Sequence, residues 1–210
     1  MPPLAFMAIR GYNGPIYADG NSYNLPTQDL VDAFEAGDPR LAASILDIEA
    51  FVASQSETVT YTEGGGGHTG YYNNKYLKRK DELGLGDDDL TSPVNHKVIR
   101  YADVLLMAAE AHARKASPNE GLARQYLNEV RDRVDMPVVT ASGTALVEAI
   151  YHERRVEFAG EGHRFFDLVR TGRAADAIEG FRPGTHELFP IPQAEIDLAR
   201  AGWQQNPGYN

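Results

Sequence analysis

The chain has 210 residues, a formal net charge of −10 and a pI near 5.0, an acidic balance that argues against nucleic acid or an anionic membrane surface as partner. Its 42% hydrophobic and 24% charged residues suit a globular protein with room for a real core. It contains no cysteine, which excludes disulfides, thiolate metal sites and cysteine nucleophiles.

The opening segment MPPLAF has neither the basic stretch nor the apolar stretch of an export signal, and no run in the chain is apolar for long enough to span a bilayer. Residues 1–95 are rich in glycine, tyrosine and asparagine, above all in GYNGPIYADGNSYN (11–24) and TEGGGGHTGYYNNKY (62–76). Between them, PTQDLVDAFEAGDPRLAA shows helical periodicity, with Leu30, Phe34 and Leu41 on one stripe and Thr27 as N-cap. TVTYT (58–62) reads as a strand. GDDDL (86–90) reads as a solvated turn; the alternative, a calcium loop, lacks the twelve-residue ligand pattern.

From Lys97 onward the pattern is helical. Over 102–114, Ala102, Leu105, Leu106, Ala109 and Ala113 share a stripe, Val104, Ala108 and Ala111 lie beside it, and Asp103, Glu110 and Arg114 form a narrow polar face. The spacing predicts a helix packed on two sides. Ser117-Pro118-Asn119-Glu120 reads as a capping box, and Leu122, Ala123, Tyr126, Leu127, Val130 and Val134 carry the next helix to a stop before Pro137. A second helix pair is expected over 144–160 and 162–172. Phe189-Pro190-Ile191-Pro192 must be extended, and a last short helix is expected over 193–200.

The stretch HERRVEFAGEGHRFFDLVRTGR (152–173) concentrates the charge. On a helix, Leu146, Ala149 and Ile150 define a stripe that continues through Glu153 and Glu157, so both carboxylates lie on the buried side and need cations to meet them. Arg100, Arg164 and Arg170 are the candidates. Three catalytic or metal readings compete. Glu153 and Glu157 could form an acid–base pair, but they sit on adjacent turns of one helix and do not face each other across a cleft. Glu161, His163 and Asp167 could ligate a metal, but HxxxD is a weak signal. A nucleophilic triad would need a presented serine, and no GxSxG is present. The residues favour an ion-pair network that locks helices in register, with no metal and no cofactor.

VIRYADVLLMAAEA (98–111), YLNEVRDRVDMP (126–137), ERRVEFAGEGHRFFDLVRTGRA (153–174), LFPIPQAEID (188–197) and QNPGY (205–209) occur in the order seen in the C-terminal part of the SusD/RagB family. DLVDAFEAGDPR (29–40) and TGYYNNKY (69–76) also resemble that family's upstream segments. The resemblance implies a mainly α fold, with tetratricopeptide-like helical hairpins and long loop-rich insertions. It also implies a non-catalytic role: capture of a glycan or similar nutrient at the bacterial outer membrane, beside a TonB-dependent transporter. Members of the family are longer and carry a lipoprotein cysteine, so the chain is expected to be a C-terminal fragment or a shortened member. One continuous structural unit is expected, with a loop-rich, ligand-facing part over 1–95 and helical hairpins over 96–210.

No family motif carries ligand residues onto this chain, so the choice rests on chemistry. Sugars offer flat C–H faces and rings of hydroxyls, which aromatic rings and amides recognise. Tyr12, Tyr17, Tyr23, Tyr71 and Tyr72, interleaved with Asn73, Asn74 and other amides, are therefore the expected glycan-binding set. Trp203, inside the C-terminal motif region, is read as structural. The alternatives are a helical-repeat protein-interaction module and, with less support, a glycoside hydrolase.

Overall fold

The computed structural model describes residues 7–63, 68–82, 94–199 and 202–209. The MPPLAF opening, the glycine run 64–67 and the GDDDL segment lie outside the described residues. The chain divides into two compact units, Met1–Glu161 and Gly162–Asn210. The fold is mainly helical.

In the first unit the expected helix over the Leu30–Leu41 stripe is two short ones, α1 (Gln28–Val31) and α2 (Arg40–Ser44). Gly37, at φ +82°, and the Asp38-Pro39 turn interrupt it. The apolar stripe still works as a unit: Phe34 is buried with Ile45, Val156 and Ala159, and Leu30 and Leu41 pack on that cluster. Strand β1 (Ile45–Asp47) pairs antiparallel with β2 (Tyr71–Asn73), setting Ile45 opposite Asn73 and Asp47 opposite Tyr71. Asp47 then caps α3 (Ile48–Ala53) by accepting from the Ala50 N–H at 3.0 Å. TVTYT forms no named strand; Thr60 makes an isolated antiparallel bridge with Asn13.

The helices α4 (Tyr101–Arg114), α5 (Glu120–Asp132) and α6 (Gly143–Glu157) enclose one core of Leu105, Leu106, Ala109, Ala123, Leu127, Val130, Leu146, Ile150 and Phe158. The cap of α5 is Asn119, whose side chain accepts from Leu122 N–H at 3.1 Å, so the helix starts two residues later than the Ser117 box predicts. The return segment 137–143 is laced to α5 by polar side chains one turn apart. Arg131 donates to the Pro137 carbonyl (2.7 Å), Asn128 bonds Val139 in both directions (3.0 and 2.7 Å), and Arg124 donates to the Ala141 carbonyl (3.1 Å).

The narrow polar face of α4 is not turned to solvent: Asp103 and Glu110 are buried, while Val104, beside the apolar stripe, is exposed. The reason is partners: Arg154 donates to Asp103 at 2.7 Å, and Arg114 (2.6 Å) and the Tyr151 hydroxyl (3.3 Å) both reach Glu110.

The second unit contains α7 (Arg164–Arg170), α8 (Ala174–Ala177) and α9 (Gln193–Leu198). The extended Phe189–Pro192 segment is held by the C-terminal motif. Gln205 bonds Ile191 through both backbone groups (2.8 Å each), Asn206 donates to the Phe189 carbonyl (2.6 Å), and the Tyr209 hydroxyl donates to the Leu188 carbonyl (2.8 Å). The glutamine side chain thus supplies the pairing that a neighbouring strand would give.

Candidate functional site

The charged stretch builds a column of carboxylates along α6 and the turn that follows it. Glu153 accepts from Arg40 on one oxygen and from Arg131 (2.8 Å) on the other. Glu157, four residues on, accepts from Arg40 (3.1 Å), Arg100 (3.0 Å) and Arg133 (2.8 and 3.0 Å). Glu161 accepts from Arg100 (2.7 and 2.8 Å) and from Lys75 Nζ (2.7 Å). Arg40 also grips Asp38, and Arg131 also holds Glu35. The cations come from α2, from the C-terminal end of α5, from the N-cap of α4 and from the segment after β2. The column therefore ties the loop region to the helical hairpins.

The electrostatics balance burial against pairing. Burial raises the Glu161 carboxyl, but the hydrogen bonds from Arg100 and Lys75 outweigh it and hold the group below its ordinary range. Asp38 is lowered in the same way, with burial opposed by Arg40. For Glu35 the Arg131 bond is the leading cause of a lowered carboxyl. Lys75 is pushed down by burial, against the pull of Glu161. Arg40 is raised: its carboxylate partners overcome the desolvation that opposes them.

Every oxygen of Glu153, Glu157 and Glu161 is taken by a cation, and all three side chains are buried. An acid, base or nucleophile must reach a substrate, and these do not. Among the described residues no group of His, Asp and Glu side chains could hold a metal ion. Arg40, Arg131, Arg133 and Lys75 were not singled out in the sequence, since no local spacing links residues so far apart. Arg164 and Arg170 lie on α7 in the second unit, where Arg170 pairs with Asp167 (2.7 Å).

The tyrosine set separates by depth. Tyr12, Tyr17 and Tyr72 are buried with Ile9, Ile48, Val59 and Leu77 in the core of the loop region. Tyr17 meets the edge of Tyr12 (5.7 Å) and the Phe51 ring (5.2 Å), and lies under the Arg79 guanidinium (5.3 Å). Asn73 is buried, donating to the Gly160 carbonyl at 2.9 Å, and Asn74 donates to the Ala42 carbonyl at 3.0 Å. Tyr71 is half-buried and its hydroxyl donates to Gln28 (2.9 Å). Tyr23 is 59% exposed.

One corner joins both glycine-rich loops. The Tyr72 hydroxyl bonds Ser22 (3.1 Å), the neighbour of Tyr23, and the Tyr72 ring meets His68 edge-on (6.2 Å). His68 stacks on Tyr61 at 5.7 Å with the rings 22° apart. Both are half-buried, and burial raises the Tyr61 hydroxyl, with Glu63 and Glu49 adding to the rise. The corner thus offers stacked rings with carboxylates beside them. Tyr61 was missed in the sequence reading. Its signal was the alternation from buried Val59 through exposed Thr60 to a half-buried ring.

The SusD family model matches residues 9–209. "SusD-like protein P25" from Formosa agariphila is 36% identical over 119 residues, covering 50% of this chain and 22% of that protein. Among solved structures, surface glycan-binding protein A from Bacteroides thetaiotaomicron superposes with a TM-score of 0.80 at 26% identity, covering 98% of this chain and 46% of that one. The same-named protein in complex with laminarihexaose gives 0.74 at 27% identity, over 97% of this chain and 46% of that one. The chain spans less than half the length of each of these relatives.

Proposed function

The chain belongs to the SusD family, and we propose that it captures a glycan without transforming it, on the outer surface of a bacterium and beside a TonB-dependent transporter that takes the ligand up. The observation that carries this is the likeness over 97% of the chain to a structure holding laminarihexaose. The occupied carboxylate column supports the non-catalytic half of the reading. A glycosidase needs two carboxyl groups open to a cleft, and the charged stretch has none to spare.

The ligand contacts belong to the corner where the two glycine-rich loops meet, with Tyr61, His68 and Tyr23 as ring surfaces. Tyr12, Tyr17, Tyr72, Asn73 and Asn74 act from beneath, holding the loops in shape, and Tyr71 anchors β2 to α1. Aromatic ring faces suit the C–H faces of a pyranose.

The test is retardation of the protein in native gels containing laminarin, and in parallel gels with xylan, mannan and an α-glucan, with reducing-end release assayed in the same mixtures. Retardation by one polysaccharide without release supports capture. Release of reducing ends overturns it. Retardation by none, from a protein shown to be folded, removes the glycan site from these residues.

A further inference from the structure

Strand β2 has two faces with different surroundings. Tyr72 lies in the loop core with Ile9 and Ile48, while its neighbour Tyr71 packs on the cluster of Phe34, Ile45, Val156 and Ala159. The partner strand divides in the same way. Leu46, opposite Tyr72, belongs to the loop core, and Ile45, opposite Asn73, to the second cluster. Toward the helical hairpins, β2 and the turn after it rest on the last turn of α6 and the bend that follows. Tyr71 meets the Val156 and Ala159 cluster, and Asn73 donates to the Gly160 carbonyl at 2.9 Å. Lys75 donates to the Glu157 carbonyl (2.8 Å) and to the Glu161 carboxylate (2.7 Å). On the other face Tyr72 supports the aromatic corner. Its hydroxyl bonds Ser22, which holds a left-handed φ of +58° just before Tyr23. Its ring edge meets His68, which stacks on Tyr61. Side chains alternate along a strand, so a movement of the seated face is a movement of the Tyr72 face.

We propose that Asn73 and Lys75 are positioning residues for the aromatic corner. By seating β2 on the bend after α6 they set Tyr72, and through it Ser22 with Tyr23 and His68 with Tyr61, in the arrangement that receives the ligand. Neither residue touches the ligand. A displacement of the rings by about 1 Å is enough to spoil a preorganised site. The inference rests on the glycan reading for its ligand, but the placement of the rings can be tested without one.

Two variants that each remove one cation from the carboxylate column test it. Lys75→Met keeps the aliphatic stem and frees the seat of β2. Arg133→Met is the control, since Arg133 bonds Glu157 from the C-cap of α5. Both should lower the melting temperature. In native gels with the retarding polysaccharide, Lys75→Met should weaken capture about tenfold, an ordinary size for coupling between sites, and Arg133→Met should leave it unchanged. The readout without ligand is the His68 ring signal in proton–carbon NMR correlation spectra, assigned with His68→Gln. It should move in Lys75→Met and stay in place in Arg133→Met. Should Lys75→Met not fold, Asn73→Ala carries the same test. Unchanged capture or an unmoved His68 signal in the seat variant overturns the proposal. Equal weakening by both variants also overturns it, because that marks a general loss of stability. If no polysaccharide retards the wild-type protein, the glycan reading fails, and the His68 signal alone decides the placement of the corner.

Discussion

Arg100 grips the Glu161 carboxylate with two parallel hydrogen bonds, Nε to Oε2 at 2.7 Å and Nη2 to Oε1 at 2.8 Å, and its remaining nitrogen reaches Glu157 at 3.0 Å. One guanidinium at the N-cap of α4 therefore joins two rungs of the carboxylate column. Fork-to-carboxylate geometry of this kind is specific to arginine.

Breaking a rung is expected to be costly. Glu157→Gln leaves Arg40, Arg100 and Arg133 facing a neutral amide in a buried site. It should destabilise the fold by about 3–5 kcal/mol, the range for removing one partner of a buried ion pair. Asp29→Ala removes only the exposed partner of Arg155 and should cost at most about 1 kcal/mol. Urea unfolding midpoints of the two variants check the contrast, and similar midpoints would contradict it.

Stability should fall with acid. Glu161, Asp38 and Glu35 all have folded carboxyls below their unfolded values of 4.5, 3.8 and 4.5. A lowered folded value means stability that is fully present above the unfolded value and is lost as pH drops through the folded one. The melting temperature should therefore fall from about pH 4.5 downward through these groups, and Glu161→Gln should flatten part of that fall. A thermal scan across pH 2.5–7, flanking those unfolded values, decides it, and an unchanged slope in the variant would refute the assignment.

Gly160 is a backbone requirement. Its φ is +75°, and a Cβ there would lie 2.3 Å from Asn73 Nδ2 and 2.6 Å from its Cγ. Gly160→Ala should cost about 1–3 kcal/mol through the left-handed backbone alone, and more through loss of the Asn73 bond to the Gly160 carbonyl. Differential scanning calorimetry is the readout.

The tyrosines should divide into two classes. Tyr17→Ala removes a ring from the loop core and should lower stability by about 3–5 kcal/mol, as large aromatic truncations do. Tyr61→Ala combined with Tyr23→Ala should leave the melting temperature within a few degrees and abolish retardation by the bound polysaccharide. The Tyr12 hydroxyl is buried with no hydrogen-bond partner among the described residues, so Tyr12→Phe should be neutral or slightly stabilising and leave binding intact. Weaker binding by Tyr12→Phe would place that hydroxyl on the ligand.

Local periodicity was enough to locate α4, α5, α6, α7 and α9, though not the short α8, and to determine the buried stripe of α4 and the placing of Glu153 and Glu157 on the core side of α6. These follow from the 3.6-residue repeat, in which residues three and four apart must share a face. Family motifs in order likewise identified the fold. What the sequence could not settle is which partner meets each buried charge. Arg40 and Glu153 stand 113 residues apart, and no spacing rule joins them. The same gap hid the surroundings of the polar face of α4. Asp103 and Glu110 are buried, and the approach of Arg154, Arg114 and Tyr151 makes their burial tolerable. The loops depended on tertiary structure most of all. A tyrosine has one chemistry whether it packs a core or faces a ligand, and depth alone separates Tyr72, which is buried, from Tyr23, which is open to solvent.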